Sequence, residues 1–67
     1  MDMISKLNAE RIKEDAVCAI QMLREIAFEC GRGYVSATYL KEKITPAENC
    51  CRFIRTVVEI TLKEGQP

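Results

Sequence analysis

The sequence predicts an all-α fold, a small three-helix domain, from two observations. Three segments begin with residues that favour helix N-termini, and each is followed by apolar residues at spacings of three and four. A chain of 67 residues is long enough for one domain, so residues 1–67 are expected to form a single helical domain.

The first helix is predicted over about 8–30. Asn8 is a favourable N-cap, and Leu7 and Ile12 hold the positions of a hydrophobic staple around it. Gly31 is placed to adopt the left-handed conformation that ends a helix. Cys18 and Met22 are expected near the polar side. The core stripe is expected to contain Ile12, Ala16, Ala19, Leu23, Ile26 and Cys30.

A short second helix is predicted over about 37–43, with Ser36 as its N-cap. Val35 and Leu40 hold the staple positions around this serine. The alternative is an extended strand over "GYVSATYL", because Tyr, Val and Thr favour strands. The cap and the helix-favouring "LKEK" indicate the helix instead.

The third helix is predicted over about 46–64, because "TPAE" has the pattern of a helix start. Thr45 is the N-cap, Pro46 occupies the first helical position, and Glu48 completes a capping box. Gly65 is expected to stop this helix, which should pack antiparallel on the first. Its core stripe is expected to contain Ala47, Cys50, Ile54, Val57, Val58 and Thr61.

The charge balance favours a protein partner over a nucleic acid. Ten Lys and Arg match ten Asp and Glu, whereas proteins that bind phosphate backbones usually carry a basic excess. The chain has no apolar run long enough for a membrane span or a secretory signal, so we expect no membrane association and a cytoplasmic location.

A domain of this size is expected to need a second subunit. Short chains bury only about 60% of their unfolded surface, and reduced cytoplasmic cysteines would supply no disulfide. The alternative is a secreted fragment, in which four cysteines would form two disulfides. Two apolar residues on the first helix, Val17 and Phe28, and two on the third, Phe53 and Ile60, lie off the core stripes. They are expected to form a protein interface, most simply with a second copy in a helical-bundle homodimer. The alternative is that the middle helix covers one flank and the rest are ordinary exposed hydrophobes.

The four cysteines do not have the spacing of a zinc site, which normally places its ligands in close pairs on turns. Cys50 is expected to face the core and Cys51 to lie at its margin. The chain contains no His and no Gly-rich phosphate loop, and its acidic residues form no recognisable catalytic pair. We therefore expect no metal, no cofactor and no enzymatic activity.

The second functional hypothesis is a helix-turn-helix-like regulator that reads DNA with the start of the third helix. Asn49, Arg52, Arg55 and Thr56 would contact the DNA, since Asn and Arg are the side chains that read adenine and guanine edges. The turn before Thr45 is short for this unit and contains no glycine. The leading hypothesis is thus a non-enzymatic protein-binding adaptor or regulator, a homodimer that acts on an unidentified protein through a helical surface.

Overall fold

The computed structural model describes residues 3–64 and contains two helices, α1 (Lys6–Gly31) and α2 (Ala37–Glu64). They pack against each other as an antiparallel hairpin joined by a short connection. The all-α class is confirmed, because residues 3–64 contain no strand. The predicted number of three helices is wrong, and so is the alternative strand, since the second half of "GYVSATYL" is helical.

α1 begins and ends close to its predicted bounds, but with different caps. Ser5, and not Asn8, is the N-cap, and its hydroxyl oxygen accepts a hydrogen bond of 3.2 Å from the amide of Asn8. At the other end Gly31 belongs to the helix, and the positive φ of 117° is found at Gly33. Arg32 is the C-cap, so the predicted left-handed Gly31 is wrong by two positions.

α2 begins where the short middle helix was expected to begin. The Ser36 hydroxyl accepts a hydrogen bond of 3.0 Å from the amide of Tyr39, which is the N-cap geometry predicted for this serine. The carbonyl of Ser36 then accepts from the amide of Leu40 at 3.2 Å. The start of this helix is therefore confirmed, although it does not end near residue 43.

The predicted break before Pro46 does not exist, because α2 runs through it without interruption. Thr45 is not an N-cap: its hydroxyl donates to the carbonyl of Lys41 at 2.8 Å, as threonines inside helices do. The reason lies in packing, since the buried stripe of α2 keeps its phase from Leu40 through Ala47 to Thr61. Breaking the helix at Pro46 would take Leu40 and Lys43 off this stripe. The predicted stop at Gly65 lies outside the described residues.

The seam between the helices follows a heptad pattern, which we write with positions a to g. Every a and d position from Ile12 to Glu29 and from Leu40 to Thr61 is buried or half-buried. Ala19, Ala47 and Val57 are the buried residues of this seam. The a positions are Ile12, Ala19 and Ile26 on α1 and Leu40, Ala47, Ile54 and Thr61 on α2. The d positions are Asp15, Met22 and Glu29 on α1 and Lys43, Cys50 and Val57 on α2.

The seam is rotated on α1 relative to the predicted core stripe. Leu23 and Cys30 were expected in the core and are exposed, whereas Cys18 and Met22 are half-buried. The sequence offers two overlapping stripes on α1, and α2 packs on the one that contains Asp15 and Met22. On α2 the predicted stripe is confirmed apart from Val58, which is exposed.

The hairpin is long and narrow, and it buries little surface. Its extents are 52 × 18 × 14 Å, and its radius of gyration of 15.4 Å exceeds the roughly 11 Å of a compact chain of this length. Its accessible surface is 5625 Å², against about 4,300 Å² for a compact monomer of the same mass. The isolated chain therefore exposes about 1,300 Å² more than a compact fold would.

Two cap substitutions distinguish the observed helix from the predicted pair. Ser36→Ala removes an N-cap acceptor and should lower the free energy of unfolding by about 1 kcal/mol. Thr45→Ala should be neutral or slightly stabilising, because Thr45 lies inside the helix and Ala has the higher helix propensity. Urea denaturation of both variants at one protein concentration measures this. A loss at Thr45 as large as that at Ser36 would show that Thr45 caps a separate helix.

Pro46→Ala should raise the free energy of unfolding by about 1–3 kcal/mol. Inside a helix, proline supplies no amide to the carbonyl four residues earlier, here that of Glu42, and its ring crowds that carbonyl. At the first position of a separate helix the same proline would be favourable. Thermal and urea unfolding, followed by circular dichroism, measure the change, and a clear loss of stability would contradict the continuous helix.

Candidate interaction surface

The two broad sides of the hairpin are defined by the positions that flank the seam. In an antiparallel helix pair, the e positions of both helices lie on one side and the g positions lie on the other. The observed contacts fix this assignment, because Arg11 and Phe53 are both g residues and lie against each other. The e positions of α1 and α2 must therefore share the opposite side.

The g side is covered by polar and aromatic contacts across the seam. The Arg11 guanidinium carbon lies 4.6 Å from the centre of the Phe53 ring. Near the connection, the Lys43 Nζ is 2.8 Å from a carboxylate oxygen of Glu25 and 5.7 Å from the centre of the Tyr39 ring. The hydrogen bond to Glu25 raises the pKa of Lys43 above its usual value. These contacts shield the seam on this side.

The e side has no polar cover, because every e position on it is apolar or a cysteine. Of these residues Ala16 is half-buried and the others are exposed. Leu23, at 49% exposure, and Ile44, at 37%, are the largest near the connection, and Val58 lies toward the other end. We call this surface the e face. It consists of Ala9, Ala16, Leu23 and Cys30 on α1 and Ala37, Ile44, Cys51 and Val58 on α2.

The outer edge of the e face is formed by b positions and combines apolar residues with charges. On α1 it runs from Lys13 to Ile20, and on α2 from Glu48 to Arg55 and Leu62. Glu48, Cys51 and Arg55 also line one shallow depression together with Arg52. This arrangement, an apolar strip beside spaced charges of both signs, resembles the core and rim of protein interfaces.

The predicted interface residues are found elsewhere and do not form one surface. Val17 is exposed on the side of α1 that points away from α2, whereas Phe28 is exposed at the edge of the g side, where it lines a depression with Tyr39 of α2. Ile60 is exposed on the g side, and Phe53 is half-buried there beneath Arg11. Nothing in the hairpin brings the four together, and their role in an interface stays a prediction.

The turn that the DNA-reading hypothesis requires before Pro46 is part of a continuous helix. Residues 44–46 are helical, so the unit of helix, turn and second helix is absent from this part of α2. Asn49, Arg52, Arg55 and Thr56 are all exposed. The Nε of Arg55 donates to a carboxylate oxygen of Glu59 at 3.0 Å, one turn further along α2. DNA binding by these residues remains a prediction.

The cysteines divide into two pairs that differ in environment. Cys18 and Cys50 are half-buried on adjacent parts of the two helices, and Cys30 and Cys51 are exposed on the e face. Burial, with a smaller effect from neighbouring Cys18, raises the pKa of the Cys50 thiol. All four are free thiols, and within residues 3–64 no three His, Cys, Asp or Glu side chains cluster closely enough to hold a metal ion.

The sequence contains a heptad row that predicts the e face, but the predicted break between two helices divides this row. If the heptad of α2 is continued through Pro46, the residues Ala37, Ile44, Cys51 and Val58 follow one another at intervals of seven. A break at residue 45 divides this row between two helices of unrelated orientation. The g-side contacts, by contrast, depend on the pairing of the helices and have no signal in the sequence.

Comparison of the chain with protein-family models, with curated proteins and with solved structures gave no match. In the described part of the chain, neither helix combines the length and the apolar character that a membrane crossing needs.

The Cys50 thiol should ionise at higher pH in the folded chain than in the unfolded chain. Burial disfavours its thiolate, so the neutral form stabilises the fold below the ordinary thiol pKa, and this contribution is lost as the pH rises through the raised pKa. The rate of iodoacetamide labelling, measured against pH with the other three cysteines changed to Ala, gives the midpoint. The same chain in guanidinium is the control, and a folded midpoint at or below the unfolded one would contradict the assignment.

Proposed function

We propose that this chain is a non-enzymatic adaptor or regulatory protein that works as a homodimer, with the e face as its association surface. The observation on which the proposal depends is the e face itself, an apolar strip along the whole hairpin beside a seam with only three buried residues. Association through this surface would build a four-helix core from two hairpins.

The surface area supports a second subunit. A standard protein interface buries about 800 Å² on each partner. The hairpin exposes about 1,300 Å² more than a compact monomer of its mass, so an interface of standard size fits within this excess. With three buried residues among residues 3–64, two of them alanines, a single chain has little core to support it alone.

The hydrophobic pattern supports a bundle over an isolated helix pair. A two-stranded coiled coil needs apolar residues only at a and d, whereas a helix inside a bundle also has apolar e or g positions. Here every e position on both helices is apolar or a cysteine, whereas g is mostly apolar on α2 but includes Arg11 and Glu25 on α1. The pattern thus favours an added helix layer on the e side.

The outer surfaces of the helices would remain available for the protein on which this dimer acts. Phe28 and Ile60, which lie off the e face, are among the exposed apolar residues there. The regulatory role rests on this free surface together with the expectation that the chain is not an enzyme. Capture of bound proteins from the native host would identify the protein on which the dimer acts.

Leu23→Glu should disrupt association, and Val17→Glu provides its matched control. The two residues lie on the same helix and are equally exposed in the hairpin, at 49% and 50%, but only Leu23 belongs to the e face. Burial of the exposed half of a leucine contributes about 0.8–1.5 kcal/mol, and a dimer has two copies, so dissociation should increase by at least about tenfold. Sedimentation equilibrium over a concentration series measures the constant.

A second matched pair tests the same surface on α2. Leu62 and Ile60 are exposed to 49% and 51%, and Leu62 lies at the edge of the e face while Ile60 lies on the g side. Leu62→Glu should weaken association more than Ile60→Glu. A wild-type chain that stays monomeric and folded at micromolar concentration would overturn the proposed homodimer. Equal effects at Leu23 and Val17 would show that a different face associates.

A further inference from the structure

We infer that two copies join e face to e face about a two-fold axis that passes across Ala16 and Cys51, so that each α2 runs antiparallel to the partner's α2. This inference rests on the proposed function, and adds to it the partner, its orientation and the residues that meet.

Ala16 and Cys51 lie at the same height along the hairpin. The Glu25–Lys43 ion pair of 2.8 Å shows which residues of α1 and α2 are level, since their numbers add to 68. The proximity of Cys18 and Cys50, which influences the ionisation of Cys50, gives the same sum. By this rule Ala16 is level with residue 52, within one residue of Cys51. One axis perpendicular to the helices can therefore cross both.

The e face is self-complementary about that axis. Ile44 and Val58 lie seven residues before and after Cys51, so antiparallel packing of two α2 helices places Ile44 against the partner's Val58 and Cys51 against the partner's Cys51. On α1, Ala9 and Leu23 lie seven residues to either side of Ala16. Leu23 therefore packs against the partner's Ala9, and small Ala16 allows close approach at the axis.

The charges at the edge of the e face favour this orientation over the other two-fold arrangement. Glu48 lies three residues before Cys51 and Arg55 four residues after it, so Glu48 meets the partner's Arg55 twice in each dimer. In the monomer Arg55 pairs with Glu59, and both side chains are largely exposed, so this pair exchanges at little cost.

An axis parallel to the hairpin would instead place α1 over the partner's α2. Lys13 is level with Arg55 and Ile20 with Glu48, because both pairs of numbers add to 68. That arrangement would bring Lys13 against the partner's Arg55 and Ile20 against the partner's Glu48. Like charges in contact and an apolar residue facing a carboxylate both oppose it. The antiparallel arrangement brings no like charges together, and Lys13, which lies against the partner's Ile20 in it, can extend its ammonium group into solvent.

The test uses a full-length chain with Cys18→Ala, Cys30→Ala and Cys50→Ala, so that Cys51 is the remaining thiol. Oxidised glutathione should convert it to a covalent dimer, because each Cys51 lies beside the partner's Cys51. The matched control keeps Cys30 in place of Cys51, another exposed e-face cysteine, which lies 14 residues from Ala16 and is therefore far from its own copy in the antiparallel arrangement. Non-reducing electrophoresis should show covalent dimer forming at least about tenfold faster for Cys51.

A second variant covers the case in which this chain does not fold. All four native cysteines are changed to Ala, and Ile44→Cys and Val58→Cys are introduced together. These positions are about 21 Å apart within α2, so they cannot bond inside one chain. The double variant should form a covalent dimer, and each single variant should not. Circular dichroism confirms helicity before each oxidation.

The outcomes separate this inference from the proposed function. Covalent dimer from Cys51 and from the 44 and 58 pair supports the antiparallel arrangement. A chain that is dimeric by light scattering but crosslinks through neither overturns the arrangement and leaves the homodimer intact. A chain that is monomeric by light scattering overturns both. Equal crosslinking of Cys30 and Cys51 indicates random collision or an axis parallel to the hairpin, and overturns the arrangement.

Discussion

The structure depends on one constraint: two helices in contact can bury only a narrow strip of each other. In this hairpin small residues reduce the buried area further, because Ala19 and Ala47 lie at the centre of the strip and Val57 lies near its open end. Polar residues such as Asp15 and Lys43 occupy other seam positions. With 48% hydrophobic residues in the chain, most apolar side chains must then lie outside the seam. Where those side chains lie decides what the protein can do.

The two sides of the seam differ in how their apolar residues are covered. On the g side the apolar edge is covered from within the chain, by Arg11 over Phe53 and by Lys43 between Glu25 and Tyr39. On the e side every e position is Ala, Cys or an aliphatic residue, and charged residues such as Glu48 and Arg55 lie along its outer edge. Exposed polar contacts contribute little to stability, but here they determine which side of the seam is partly covered from within the chain.

The sequence predicted the helical class, the start at Ser36 and most of the seam on α2, because each depends on local chemistry or on one clear stripe. It failed at Pro46, where "TPAE" satisfies the local rules for a helix start. A local signal cannot show that Leu40 and Ala47 share one buried stripe. The prediction of the seam on α1 was wrong for a related reason. Leu23 and Met22 lie on two overlapping apolar stripes, and only the packing against α2 determines which stripe is buried.

Pro46 has a mechanical consequence for the hairpin. Pro46 has no amide hydrogen to donate to the carbonyl of Glu42, so the regular hydrogen-bond pattern that joins the first part of the helix to the rest lacks one bond. Opening of the segment from Ala37 to Thr45 therefore costs less than opening of an equal length near Val57. The hairpin should open first at its connection, while the half that contains Cys50 and Val57 stays folded. The end with the turn is therefore the more flexible end of the hairpin.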